Sequence, residues 1–144
     1  MFKKITVAYN ESPEAGRALA QAIDLAKALG AELHAITVLE DLPPYAAFAA
    51  AADSTLAMTL IEDSHEQCAL LHSDARQAAL RKGVELKTHL LEGEPCASIV
   101  RFLLATKTDL VVIGLRRNTS HISRLWSTVY EVALDSPCSV LGVH

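Results

Sequence analysis

Five short runs rich in β-branched residues are each separated from the next by a segment with helical spacing, and this alternation leaves little freedom of fold. The runs are Lys4 to Tyr9 (KITVAY), Glu32 to Leu39 (ELHAITVL), Val84 to Leu91, Leu110 to Ile113 and Ser139 to Val143. Strands that far apart cannot be joined by hairpins and must run parallel, with right-handed crossovers that put helices on both faces of the sheet. The fold class that follows is a doubly wound α/β domain. Leu110 to Ile113 is almost uniformly apolar, as a strand covered on both faces has to be.

The intervening segments carry their own start and stop signals. Ser12 caps a helix whose first position suits Pro13, and Glu14 to Leu29 buries a stripe of Leu19, Ala22, Ile23 and Ala26 before Gly30 ends it. Ser54 to Lys82 is helical, with Leu56, Leu60, Leu70, Leu71, Ala78 and Ala79 as apolar positions and Gly83 as its stop. After the turn Gly93-Glu94-Pro95, Cys96 to Ala105 turns Ile99, Leu103 and Leu104 inward. Leu125, Val129, Val132 and Ala133 form a last stripe that stops at Ser136-Pro137.

Composition narrows the function classes. With 144 residues, 51% of them hydrophobic, the chain suits one domain with a substantial core. The formal charge is −4 with both signs interspersed, so no basic face follows a nucleic-acid backbone and nucleic acid is not an expected partner. The longest apolar stretches fall short of the ~20 residues of a membrane span, and the N-terminal MFKKITVAYN lacks a cleavage-like site. Cys68, Cys96 and Cys138 match no metal or C-x-x-C spacing, which suits a reducing cytoplasm. Cys138 reads as core packing. His65 and His72, seven apart on one helix, read as surface residues, and His121 as an exposed loop residue, so no metal site is expected.

Ligands of such sheets sit outside the carboxyl ends of the strands where the winding reverses. Here those ends are Asn10, after the first strand, and Gly114, after the fourth. With these positions located, the chain resembles the universal stress protein family. The resemblance is carried by KITVAYNESPEAGRAL, ELHAITVLED, LLEGEPCASIV, DLVVIGLRRN and SPCSVLGV, in that order along residues 1–144. It implies one universal stress protein domain, a five-stranded parallel sheet in the order 3-2-1-4-5, and a cytoplasmic homodimer formed through the last strand, residues 139–143. An unpaired hydrophobic edge at SVLGVH is an independent physical reason for a partner there.

Many members of that family bind ATP or AMP through a loop written G-x2-G-x9-G-[ST] and an aspartate at the end of the first strand. Carried onto this chain, the first glycine is Gly114, the second position is Arg117, the third is Ser127, and the hydroxyl position is Thr128. The aspartate position is Asn10, and Val38 stands where backbone commonly meets the adenine ring. The implied nucleotide-binding set is Ala8, Tyr9, Asn10, Val38, Gly114, Arg116, Arg117, Ser127, Thr128 and Val129.

Glycine in a phosphate loop reaches φ > 0 without strain and lets an N–H approach an oxygen closely, which Arg117 cannot do. Arg116 or Arg117 can hold phosphate with a planar fork of donors instead, or both can be a solvated surface pair. Ser127 and Thr128 offer hydroxyls and free N–H groups to an anion, or cap a helix. Asn10 keeps a carbonyl that accepts from adenine or ribose, or it caps its own turn. Val38 is a backbone contact or a buried strand valine. The expected function is a stress-response dimer that binds an adenine nucleotide; a nucleotide-independent interaction module of the same fold is the alternative. Hydrolysis needs a positioned metal and a group that orients water, and the sequence shows no carboxylate near the loop between Gly114 and Thr128, so an enzyme is not expected.

Overall fold

A computed structural model gives the fold and describes residues 1–39, 48, 51–116 and 128–144. In chain order the elements are β1 (Lys4–Ala8), α1 (Pro13–Leu29), β2 (Glu32–Leu39), α2 (Ser54–Arg81), β3 (Leu86–Glu92), α3 (Pro95–Thr106), β4 (Leu110–Gly114), α4 (Thr128–Asp135) and β5 (Ser139–Val143). The sheet is parallel throughout, in the order β3-β2-β1-β4-β5. Strand β1 is therefore central, held by β2 from Lys4↔Glu32 to Ala8↔Ile36 and by β4 from Ile5↔Leu110 to Val7↔Val112.

Alternation along the central strands sends side chains to two cores. Ile5, Val7, Leu33, Ala35 and Leu86 pack with Ala18, Leu19, Ala22 and Ile23 of α1 and Ala75 and Ala79 of α2. Ile36, Val111 and Ile113 pack on the other face with Cys96, Ile99 and Leu103 of α3 and Val132 of α4. Thr6 points into this second face with no exposure. Its hydroxyl lies 2.8 Å from that of Thr108, which lies 2.9 Å from that of Thr106, and Thr106 donates to the Phe102 carbonyl at 2.8 Å. Because Thr106 spends its proton on that carbonyl, Thr108 donates to Thr106 and Thr6 donates to Thr108, so each buried hydroxyl has its partner.

The helix ends are built from side chains. Ser12 accepts from the Ala15 N–H at 3.2 Å, with Pro13 in the first turn, and Gly30 closes α1 at φ 63°. Asp53 accepts from Thr55 and Leu56 at the start of α2. Glu94 accepts from Cys96 at 3.0 Å and Ala97 at 2.6 Å, which starts α3 at Pro95, one residue earlier than the turn chemistry predicts. β3 begins at Leu86 rather than Val84, because the Val84 N–H is drawn back to the Ala79 carbonyl at 3.0 Å.

The burial of α2 differs from the expected stripe. Cys68, His72, Ala75 and Ala79 face the sheet, whereas Leu70 is 68% exposed and Leu56 40% exposed. These buried residues recur at i, i+4, i+7 and i+11, and small side chains there let the helix approach the sheet; leucine count misjudged the face. Leu104 of α3, expected inward, is likewise exposed.

Gly114, at the end of β4, touches the first turn of α1. A Cβ added there would collide with the Glu14 carbonyl group and stand 2.8 Å from the Ala15 nitrogen, whereas one added at Gly16 meets nothing within 4 Å. Gly114→Ala is expected to cost about 1–3 kcal/mol by overpacking against backbone. Gly16→Ala, on the exposed side of the same helix, is expected to stabilise by about 0.5–1 kcal/mol. Urea midpoints of the two variants against wild type check both signs.

Candidate functional site

The winding of this sheet reverses between β1 and β4, and the carboxyl ends of these strands meet the start of α1. Tyr9 continues β1 by one residue: its N–H donates to the Ile36 carbonyl at 2.9 Å, and its carbonyl accepts from the Thr37 hydroxyl at 2.7 Å. Burial, with a smaller contribution from Asp74, pushes the Tyr9 phenol above its ordinary pKa. Asn10 is exposed and turns back on the chain, its Oδ1 accepting from the Ser12 N–H at 2.9 Å and the Ser12 hydroxyl at 2.5 Å. Ser12 in turn accepts from Ala15, so Asn10 and Ser12 together order the entry to α1. The local-turn reading of Asn10 is the one this geometry shows.

At the other strand end, the Leu115 N–H donates to the Val143 carbonyl at 2.6 Å, extending the ladder of β4 with β5 past Gly114. Arg116 follows, with its side chain 81% exposed and its Nε 3.9 Å from Glu14 Oε1, itself 17% exposed. That separation makes an ion pair without a close hydrogen bond. The first turn of α1 therefore supplies a carboxylate beside the start of the loop, although no carboxylate lies near that loop in sequence. Glu14 was missed because it is a hundred residues away along the chain, and only the Gly114 contact brings it there.

The remaining predicted residues are distributed as follows. Ala8 and Val38 are half-buried against the second core, with Val38 paired to Leu91. Val38 is thus a partly covered strand valine whose end of the sheet is the same as that of Tyr9. Thr128 is exposed at the start of α4, and Val129 packs half-buried on the second core. Arg117, Ser127 and His121 lie outside the described residues. The structure thus brings together Tyr9, Asn10, Gly114 and Arg116 around the start of α1.

His72 is not a surface residue. It is 6% exposed, and its Nε2 lies 2.7 Å from the Thr37 hydroxyl, beneath Tyr9. Burial first, then the charges of Arg76 and His89, lower its pKa, while burial raises that of Cys68 one turn away. The spacing of Cys68, His72, Ala75 and Ala79 was the available signal, since a histidine in a stripe of small residues is on the packed side. A second buried histidine, His34, sits at the opposite end of β2 with Nδ1 2.8 Å from His89 Nε2 and Nε2 2.7 Å from Glu32 Oε1. Hydrogen bonds from His34 and then Lys87 pull the Glu32 carboxyl down to about 2. His65 remains on the surface, 3.3 Å from Glu92. Among the described residues no three His, Cys, Asp or Glu side chains are placed to hold a metal ion.

With fold and site in place, comparison with known proteins is decisive. The sequence profile of the Universal stress protein family matches residues 1–144. The chain belongs to the universal stress protein family. Among its relatives, a universal stress protein of Methanocaldococcus jannaschii is 31% identical over 99% of this chain and 82% of its own length. One from Thermus aquaticus is 32% identical, with both chains covered in full. Among solved structures, the universal stress protein UspA from Lactobacillus plantarum superposes with a TM-score of 0.77 at 26% identity, covering 99% of this chain and 98% of its own. A universal stress protein in complex with cAMP gives 0.78 at 23% identity, covering 99% and 97%. One from Archaeoglobus fulgidus in complex with dAMP gives 0.72 at 21%, covering 99% and 96%. Within the family's site pattern, this member has asparagine at the end of β1, and that asparagine already holds Ser12.

Asn10→Asp is expected to stabilise the fold by about 0.3–1 kcal/mol, since the carboxylate strengthens both Ser12 bonds and sits beside the positive end of α1. Asn10→Ala is expected to cost about 1 kcal/mol. Melting temperatures at low ionic strength order the series Asp, Asn, Ala.

Proposed function

We propose that this universal stress protein is a cytoplasmic homodimer that binds an adenine nucleotide, AMP or ATP, at the carboxyl ends of β1 and β4. The observation that carries the reading is the junction of Asn10, Gly114 and Arg116 on the first turn of α1, at the reversal point of the sheet. Two structures of the same fold, one in complex with cAMP and one with dAMP, support an adenine nucleotide as the occupant.

Arg116 is the described cation best suited to phosphate. Its pair with Glu14 at 3.9 Å is long and solvated, so the guanidinium is held at little cost and can turn to a phosphate oxygen. Thr128, at the exposed start of α4, adds a hydroxyl, and Arg117 and Ser127 complete the proposed set at the positions where the family pattern has glycine. Backbone of Tyr9 and Val38, at neighbouring strand ends, would face the adenine. We read the site as one that binds nucleotide without turning it over, since its polar side chains are phosphate donors. A nucleotide-independent interaction module is the second reading, favoured by the Asn10 carbonyl being already occupied by Ser12.

Thermal shift with AMP and with ATP separates the two. A binder gains about 2.7 kcal/mol at a ligand concentration a hundredfold above its dissociation constant. A flat response at millimolar nucleotide overturns the binding reading. Reversal of a flat response by Arg117→Gly with Ser127→Gly would locate its cause in these two side chains, because glycine lets the loop N–H groups approach a phosphate oxygen.

The dimer rests on β5, an edge strand with Val140 36% exposed, next to α4 with Leu134 67% and Tyr130 46% exposed. Pairing with a second copy would satisfy that edge and cover these side chains. Sedimentation is expected to give a dimer for wild type and a monomer for Val140→Lys, and a monomeric wild type overturns this part of the reading.

A further inference from the structure

His72 lies in the wall beneath the candidate site, and no part of the family's loop pattern uses it. The Thr37 hydroxyl has one proton, which it donates to the Tyr9 carbonyl at 2.7 Å. His72 Nε2 is 2.7 Å from the same oxygen, so Nε2 must carry a proton and donate it. In its neutral form the ring is therefore the Nε2–H tautomer, with a bare Nδ1. A single directed relay follows, from α2 through β2 to the residue just beyond β1: His72 to Thr37 to the Tyr9 carbonyl. Both backbone polar groups of Tyr9 are held by β2, because its N–H is bonded to the Ile36 carbonyl. The next residue is Asn10, whose turn begins where this grip ends.

We propose that His72 is a positioning residue of the candidate nucleotide site, which acts through the Thr37 hydroxyl to fix the Tyr9 carbonyl and so the turn that presents Asn10. This rests on the adenine-nucleotide reading above and adds to it a buried proton donor far from the loop.

The surroundings oppose a second proton on His72. A second proton on His72 would sit on Nδ1, where the closest partner is Cys68 Sγ at 3.9 Å, a weak acceptor. Arg76 from the same helix and His89 from β3 oppose added positive charge. Thr37 from β2 already receives the Nε2 proton, and the Asp74 charge acts on the Tyr9 phenol. His72 is thus held neutral below its ordinary range. Above about pH 6.5 neither state carries the proton; below it the unfolded chain takes up the proton first, so stability falls as pH drops. His89 is shifted in the same direction, so the contribution of His72 is the difference between wild type and His72→Phe.

The test uses the full chain. Thr37→Val keeps the shape and removes the hydroxyl, Thr37→Ser keeps the hydroxyl, and His72→Phe removes the donor. In calorimetric titration with AMP, Thr37→Val and His72→Phe are expected to bind about tenfold more weakly, and Thr37→Ser within about threefold of wild type. Wild-type stability against urea is expected to decline as pH falls below about 6.5 more steeply than that of His72→Phe. Nitrogen-15 spectra of the wild-type ring are expected to show Nε2 protonated and Nδ1 bare. Amide shifts of Asn10, Glu11 and Ser12 should move in Thr37→Val and stay in Thr37→Ser. Equal AMP affinity of Thr37→Val and wild type, or an Nδ1–H ring, overturns the proposal. If wild type binds no AMP, the nucleotide reading and the site role fall together. The relay itself is then decided by the ring tautomer and the Asn10 to Ser12 shifts, which need no ligand, and the threonine pair decides it should His72→Phe fail to fold.

Discussion

The close approach of Gly114 to the first turn of α1 is the contact on which the site depends. With no Cβ in the way, the end of β4 rests against the Glu14 carbonyl group, and the strand end, the helix start and the Asn10 turn share one small region. The contact exists because β1 and β4 are parallel neighbours and α1 leaves β1 directly across it. It also delivers a carboxylate and a guanidinium to each other, Glu14 and Arg116, from opposite ends of the chain.

A second constraint runs through the interior, where polar groups among dry side chains need partners. Three such groups line the sheet: Thr6 in a hydroxyl chain with Thr108 and Thr106, His34 between His89 and Glu32, and Thr37 between His72 and Tyr9. Among the described residues no buried side-chain nitrogen or oxygen lacks a hydrogen-bond partner. The first two chains tie helix α3 and strand β3 to the body of the sheet. The third lies under the carboxyl strand ends, where the proposed nucleotide site is.

Much of the fold was legible because its signals are local. Ser139–Val143 was read as a strand with the bounds it has, and Ser12, Pro13 and Gly30 marked both ends of α1. The inward face of α2 was not legible from leucines: Leu70 is exposed and Cys68 and His72 are buried, because the helix packs through small and medium side chains close to the sheet. At the site, the strand ends Asn10 and Gly114 were placed by strand order alone. Asn10 bonding to Ser12 was one of two readings open to the residue type, and geometry selected it. Glu14, Thr37 and His72 carried no motif, since each owes its place to a partner distant in sequence.

The sequence by itself determined the parallel α/β class, because strands separated by helices have no other way to pair, and it determined the chemistry at the loop's marker positions: Arg117 and Ser127 where the family pattern has glycine. Tertiary structure alone decided which groups meet. It set the Glu14 carboxylate against Arg116, turned a histidine expected at the surface into the inner end of a relay to Tyr9, and made the Gly114 hydrogen atom the only side group that fits against α1. The physical reason is range: backbone pairing and capping are written over a few residues, whereas burial, proton direction and steric exclusion depend on neighbours that only the folded chain supplies.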